Sequence, residues 1–240
     1  MEPKIIYEDG TILAVNKPSG LTVHSDGKTD QETLVDFIVG IHPEMEKIGE
    51  PLKLSSGKTI HRGGVVHRLD KETSGVIVFA KNQETFFFLK KQFQERDVKK
   101  EYRAIVHGAL KEKKGVIDAP IGRSARDFRA RAVGLSARGV KRPARTEYTV
   151  RAEAPPFSYL SVFPRTGRTH QIRVHLKSIG HPILCDRLYA PRRACHKEMG
   201  RLALHAWSIE LKTPHGVALH LEAPLPDDFE KTLGALNIKP

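Results

Sequence analysis

Val65-Val66-His67-Arg68-Leu69-Asp70-Lys71-Glu72-Thr73-Ser74-Gly75, continued by Val76-Ile77-Val78-Phe79-Ala80, places two short apolar runs around a polar turn. Runs rich in β-branched residues read as strands, and the turn falls at a strand end. One carboxylate, Asp70, stands where the first run stops. Arg68 lies two residues earlier, so strand alternation directs both side chains to one face. A carboxylate and a guanidinium sharing a strand end can form a site. A second basic cluster, Arg165-Thr166-Gly167-Arg168-Thr169-His170-Gln171-Ile172-Arg173, is available to complete it.

Outward from this stretch the chain alternates strands with a few helices. Ile5–Glu8 and Thr11–Val15 read as a hairpin, with Asp9-Gly10 supplying a positive φ in the turn. A helix with Leu34, Val35, Phe37 and Ile38 follows, with Asp30 as its N-cap and Gly40 as its end. Residues 41–64 show no period and read as a surface excursion. Gln83–Glu95 carries an i, i+3, i+7 stripe of Phe86, Leu89 and Phe93, and reads as a helix. Tyr102–Gly108, Thr146–Val150 and Tyr159–Phe163 read as strands. Thr169–Ile179 reads as a helix burying Ile172, Leu176 and Ile179, ended by Gly180 and Pro182. Strands over Leu202–Glu210 and Val217–Glu222 and a short helix from Asp227 complete the chain. The fold class predicted is α+β around a largely antiparallel sheet, as a single domain over residues 1–240.

Charge bounds the partners. Forty Lys and Arg against 28 Asp and Glu leave a net charge of +12 in 240 residues, with an isoelectric point near 9.7. Such an excess favours a polyanion, because neutralising phosphates releases counterions. From Arg123 to Arg145 there are eight basic residues and one acid, Asp127; this reads either as a solvated loop or as a loop lying along a phosphate backbone. No apolar run approaches the roughly 20 residues that span a bilayer, and Met1-Glu2-Pro3-Lys4 lacks a signal-peptide layout. The expectation is a cytoplasmic protein with no membrane partner. Two cysteines, Cys185 and Cys195, suggest neither a disulfide framework nor a zinc site.

Several chemistries lack their motifs. The chain has no GxxxxGK[ST], no GxGxxG opening a helix, no HExxH and no CxxC, and its serines lack a nucleophile elbow. His170 and His175 are five apart and do not share a helical face. No cofactor and no metal are expected. What remains is an isolated aspartate with arginines and a tyrosine. Most of these residues have two readings. Asp70 is a turn former accepting backbone hydrogen bonds or a reactive carboxylate. Arg68 is its ion-pair partner or a ligand contact, and His67 is a satisfied, partly buried histidine or a ligand contact. Thr73 is a turn hydroxyl or a ligand contact, Tyr102 reads by itself as a core aromatic, and Arg173 is a solvated or a functional guanidinium.

His67–Gly75 resembles the HRLDxxTSG signature of the RluA family of RNA pseudouridine synthases. Val15-Asn16-Lys17-Pro18-Ser19-Gly20-Leu21 is similar to that family's N-terminal segment, and Lys99–Ala104 to the segment carrying its active-site tyrosine. Gly167–His175 resembles the family's GRTHQIRVH motif, and Arg201–Ala206 its late strand. The five segments occur in the family's order.

The resemblance implies a pseudouridine synthase fold around an RNA-binding cleft, without the N-terminal S4-type module that many relatives carry. It implies isomerisation of uridine with Asp70 as nucleophile, which suits the missing cofactor and metal motifs. Arg173 is then the guanidinium that keeps Asp70 ionised, with Arg168 second. Tyr102 stacks on the uracil, and Arg68 fills the space left by a flipped nucleotide. His67, Arg168 and Thr73 join Arg68 as substrate contacts. The partner implied is a ribosomal or transfer RNA stem-loop, met by a monomer.

Overall fold

The computed structural model describes residues 2–25, 27, 31–53, 57 and 59–238. Apolar alternation at the start produces β1 (Lys4–Glu8) and β2 (Ile12–Lys17), paired antiparallel. Their turn is made by a side chain and not by a left-handed glycine, for Gly10 has no positive φ. The Asp9 carboxylate accepts hydrogen bonds from the amides of Thr11 and Ile12, each at 2.7 Å, and from the Tyr7 hydroxyl at 2.6 Å. Partial burial opposes ionisation of Asp9, yet these hydrogen bonds hold its pKa at about 2.

The first helix, α1 (Leu34–Ile41), is capped by Thr33. The Thr33 hydroxyl accepts from the Asp36 amide, while the Asp36 carboxylate accepts from the Thr33 amide at 2.8 Å. This reciprocal box does the work predicted for Asp30, which lies outside the described residues. Gly40 sits within the helix, and His42 ends it. The excursion after it contains a short 3-10 turn at Pro43–Met45 and a two-stranded ladder, β3 (Leu52–Lys53) with β4 (Thr59–Ile60). It returns at Gly64, whose φ is +76° and where a Cβ would lie 2.1 Å from the Ala80 carbonyl oxygen. Only glycine allows that approach.

β5 (Ser74–Ala80) is buried along its whole length and pairs with β2. α2 (Gln83–Glu95) begins at the Asn82 cap and buries Phe86 and Leu89, as its period predicts. β6 (Lys99–His107), β7 (Lys114–Asp118), β8 (Ile121–Ser124), β9 (Arg131–Val133), β10 (Ala137–Arg142), β11 (Arg145–Ala154) and β12 (Phe157–Pro164) follow. Then come α3 (Gln171–Ser178), β13 (Leu204–Lys212), β14 (Ala218–Glu222) and α4 (Asp227–Ala235). The fold is α+β and its sheet is mostly antiparallel.

Two units divide the chain, Met1–Lys99 with Ser208–Pro224 and Lys100–Trp207 with Leu225–Pro240. In the first, strands run β1-β2-β5, and β13 pairs β14. There Gln92 of α2 closes two hydrogen bonds with the backbone of Lys212, each at 2.9 Å. In the second, strands run β6-β12-β11-β7. Its core gathers Ile105, Tyr159, Leu160, Leu176, Ile183, Leu204 and Phe229.

Three expectations are corrected in the second unit. The basic segment is no plain loop: β10, β8 and β9 form a separate three-stranded sheet within it, in that order. Ile179 leaves the buried stripe and is 38% exposed, because α3 ends at Ser178. Cys185 and Cys195 are bonded to each other, with Cα atoms 4.5 Å apart. A run of turns across a separation of 10 positions brings the two together, and spacing alone does not show such a fold-back.

Candidate active site

Asp70 lies in a loop of the first unit that the sequence reads as a strand end. Only Val65 pairs, in an isolated bridge to Phe79, and regular strand begins at Ser74. Strand alternation therefore does not govern Arg68 and Asp70. Carbonyls that a ladder would use are taken within the loop and by residues 19 and 20. The Asp70 carbonyl accepts from the Thr73 amide at 3.0 Å, and that of Lys71 from the Gly20 amide at 2.9 Å. The Glu72 carbonyl accepts from the Ser19 hydroxyl at 2.7 Å.

Lys17 organises this loop. It is completely buried, and its ammonium donates to the carbonyls of Pro18 and Leu21, both at 2.8 Å, and of Lys71 at 3.1 Å. Three carbonyl dipoles around a buried cation offset much of the cost of taking it out of water. His67 ties the other side down: its Nε2 accepts from the Val78 amide at 3.0 Å, and its ring stacks on Phe93 at 4.7 Å. Leu69 and Thr73 are buried, whereas Asp70 is half-buried and Arg68 exposed. Arg68 forms no ion pair among the described residues. The loop thus presents a carboxylate and a solvent-facing guanidinium on a fixed main chain.

Arg168 and Arg173 belong to the second unit, around α3. His170 precedes that helix in the left-handed region, φ 57°. Arg173 is 7% exposed and binds Asp186 side-on, Nε to Oδ2 and Nη2 to Oδ1, both at 2.8 Å. Its guanidinium lies 5.0 Å from the centre of the Tyr189 ring. Asp186 also accepts from the amides of Leu188 and Tyr189 at 3.0 Å. A planar, bidentate pair on an aromatic face leaves the guanidinium one orientation. Arg168 is half-buried, and its Nε donates to the Pro143 carbonyl at 3.2 Å.

Gln171 fills every polar position it has. Its Oε1 accepts from the Thr166 hydroxyl (2.6 Å) and the Arg168 amide (3.0 Å). Its Nε2 donates to the Arg145 carbonyl and to Thr146 Oγ1, both at 3.0 Å. His175, fully buried, donates from Nε2 to the Ala119 carbonyl, which leaves Nδ1 to accept from Thr146. Burial pushes its pKa down, opposed by that carbonyl and by Asp118. The motif Thr169-His170-Gln171-Ile172-Arg173-Val174-His175 therefore alternates apolar packing with side chains that lock the helix to β11.

Tyr102 stands on β6 opposite Val162 of β12, half-buried against the core. Its neighbour Arg103 stacks on Trp207 at 4.9 Å. Sequence reasoning missed Asp186, Tyr189 and the bonding of Lys17. Asp186 had one local signal, an aspartate two and three residues before amides at a turn. Among the described residues no group of three or more His, Cys, Asp or Glu side chains is arranged to hold a metal ion, and no helix is long and apolar enough to cross a membrane.

Residues 11–178 match the RNA pseudouridylate synthase family model. The chain is 41% identical over 244 residues to ribosomal large subunit pseudouridine synthase D of Nitrosomonas europaea, covering 99% of this chain and 66% of that protein. It is 35% identical over 238 residues to an uncharacterized RNA pseudouridine synthase of Bacillus subtilis, covering 99% of this chain and 74% of that one. The chain spans about two thirds of the length of the curated relatives it matches. Human RNA pseudouridylate synthase domain containing 4 superposes with a TM-score of 0.75 at 26% identity, covering 99% of this chain and 94% of that one. Motifs, fold and family match agree, and this chain belongs to the RluA-type family of RNA pseudouridylate synthases.

Proposed function

We propose that the protein is an RNA pseudouridine synthase that isomerises specific uridines of a structured RNA, with ribosomal RNA of the large subunit as the favoured substrate. The observation that carries this reading is the loop His67–Gly75, which presents Asp70 on an anchored main chain inside a family match of residues 11–178. The reaction is balanced without a redox step. The N1–C1′ bond breaks, the uracil turns, C5 bonds to C1′, the C5 proton leaves to solvent and N1 takes one up. Asp70 acts as the nucleophile at the sugar-base junction, as carboxylates do at anomeric carbons. The target is flipped out of its stack, and Arg68 occupies the vacated space. Tyr102 stacks on the uracil, and Arg173, oriented by Asp186, supports the ionised Asp70. His67, Thr73 and Arg168 complete the substrate side. The reading takes residues 1–240 as one catalytic domain working as a cytoplasmic monomer.

Ribosomal RNA is favoured over transfer RNA because curated relatives carry large-subunit names. The test is tritium release from transcripts holding uridine tritiated at C5, using large-subunit ribosomal RNA and transfer RNA in parallel. Wild type should release tritium from the former, and Asp70→Asn should release none while remaining folded. Release by the Asp70→Asn protein at the wild-type rate would remove Asp70 from the chemistry. Release from transfer RNA alone would reassign the substrate.

A further inference from the structure

The small sheet β10-β8-β9 carries a row of like charges. Arg138 of β10 stands directly opposite Arg123 of β8, and Arg123 directly opposite Arg131 of β9. Residues paired this way share one side of the sheet, with Cβ atoms about 4.5–5.5 Å apart, and like charges there repel. Arg123 and Arg138 are exposed and Arg131 is half-buried. No carboxylate pairs with any of the three among the described residues. The acids nearby are already engaged: Asp127 with Arg129, and Glu147 with Arg165 and Arg145. A row of three like charges, two of them exposed and none paired with a carboxylate among the described residues, is a cost to the free protein that an anion with repeated charges removes.

The row is also held in place. Two residues along the same side, Ile121 and Val133 pack with Val174 of α3 and with Tyr189. The Arg131 amide donates to the Tyr189 hydroxyl at 2.8 Å, and Tyr189 reaches His170 Nδ1 at 3.0 Å. One end of the sheet is thus fixed to α3, while Arg123 and Arg138 are exposed at the other. In the connection between β8 and β9, Phe128 is 82% exposed and has Arg126 and Arg129 on either side in sequence.

We infer that the row Arg138–Arg123–Arg131 is a docking surface for the phosphodiester backbone of RNA, separate from the target nucleotide, with Phe128 stacking on an unpaired base beside it. The inference rests on the proposed RNA substrate and adds the surface that grips the flanking strand. Each phosphate contact contributes a slope of about 0.7–0.9 in log K against log salt, and a base stacked on an aromatic ring is worth fivefold to roughly a hundredfold in affinity.

The experiment compares wild type with the triple variant Arg123→Gln, Arg131→Gln, Arg138→Gln and with a control neutralising the exposed Lys91, Lys197 and Lys231. Binding to a transcribed large-subunit ribosomal RNA fragment is followed from 50 to 200 mM salt. The arginine variant should lose about two units of slope, keep its kcat at saturating RNA and melt no lower than wild type. The lysine control should keep most of the slope. Phe128→Ala should weaken binding about tenfold with the slope unchanged. A wild-type slope in the arginine variant, or an equal loss in the lysine control, would overturn the inference. Absence of tritium release from the wild type, with arginine-dependent binding intact, would instead sink the synthase reading and leave the docking surface standing.

Discussion

The loop around Asp70 and the helix around Arg173 are held differently. In the first unit the anchorage is to main chain: Lys17 on three carbonyls, Ser19 and Gly20 on two more, His67 on one amide. In the second, side-chain pairs are added to main-chain bonds: Arg173 on Asp186, Gln171 on Thr166 and Thr146, and Thr146 on His175, while Gln171, His175 and Asp186 also bond to backbone groups. Main-chain anchorage fixes a loop's path and leaves its own side chains to face solvent, as Arg68 does. Side-chain networks fix the orientation of one group, as they do for Arg173, at the expense of burying it. The roles proposed for Arg68, contacting RNA, and for Arg173, supporting a charge, suit these two arrangements respectively.

The comparison can be broken most severely at Asp186. Asp186→Asn removes the charge from a buried bidentate pair, and the expected loss is about 3–5 kcal/mol by urea unfolding. A loss under 1 kcal/mol would show that the pair is not what orients Arg173. Next comes Lys17→Met, which removes the buried ammonium that bonds the carbonyls of Pro18, Leu21 and Lys71 and should cost about 2–3 kcal/mol. Because it releases the Lys71 carbonyl, kcat for tritium release should fall more than stability under native conditions explains. His67→Phe keeps a ring against Phe93 and deletes the acceptor for the Val78 amide. It should cost about 1–2 kcal/mol, with partial rescue in His67→Gln; equal behaviour of the two variants would assign His67 to the stack alone.

The smallest effect is a pH dependence confined to the second unit. Burial holds the His175 pKa below its ordinary value, so the unfolded chain takes up the proton more readily. Stability from this site is complete above about pH 6.5 and is lost as pH falls from there toward the folded-state pKa. His107 is lowered in the same direction, by desolvation and by Arg193. Denaturant midpoints at pH 7.5 and 5.0 should therefore fall in the wild type and fall less in His175→Gln. Equal falls in both would place the acid sensitivity elsewhere.

Elements with a clean period were legible: the β1–β2 hairpin, α2, the β11–β12 pair, α3 and α4 stand where alternation or the 3.6-residue period puts them. Elements that depend on a side chain meeting a distant backbone were not. Gly10 looks like the turn maker, but the Asp9 carboxylate does that work. The run that ends at Asp70 looks like strand, but only Val65 pairs, and the carbonyls of Lys71 and Glu72 just beyond it are claimed by residues 17–20, some fifty positions away. The segment 123–145 reads as charge without structure because its strands are short and lack an apolar period.

By itself the sequence determined the α+β class, the basic character, the five family segments and the choice of Asp70, Tyr102 and Arg173 as candidates. These are properties of local pattern and of residue identity. Only the tertiary structure decided that Asp186 orients Arg173, that Lys17 is a buried strut and that Cys185 meets Cys195. It also decided that three arginines spread over 16 positions of chain form one row. The physical reason is that hydrogen bonds and charge pairs act over a few ångströms of space, and no spacing in the chain encodes which distant groups the packed core brings within that range.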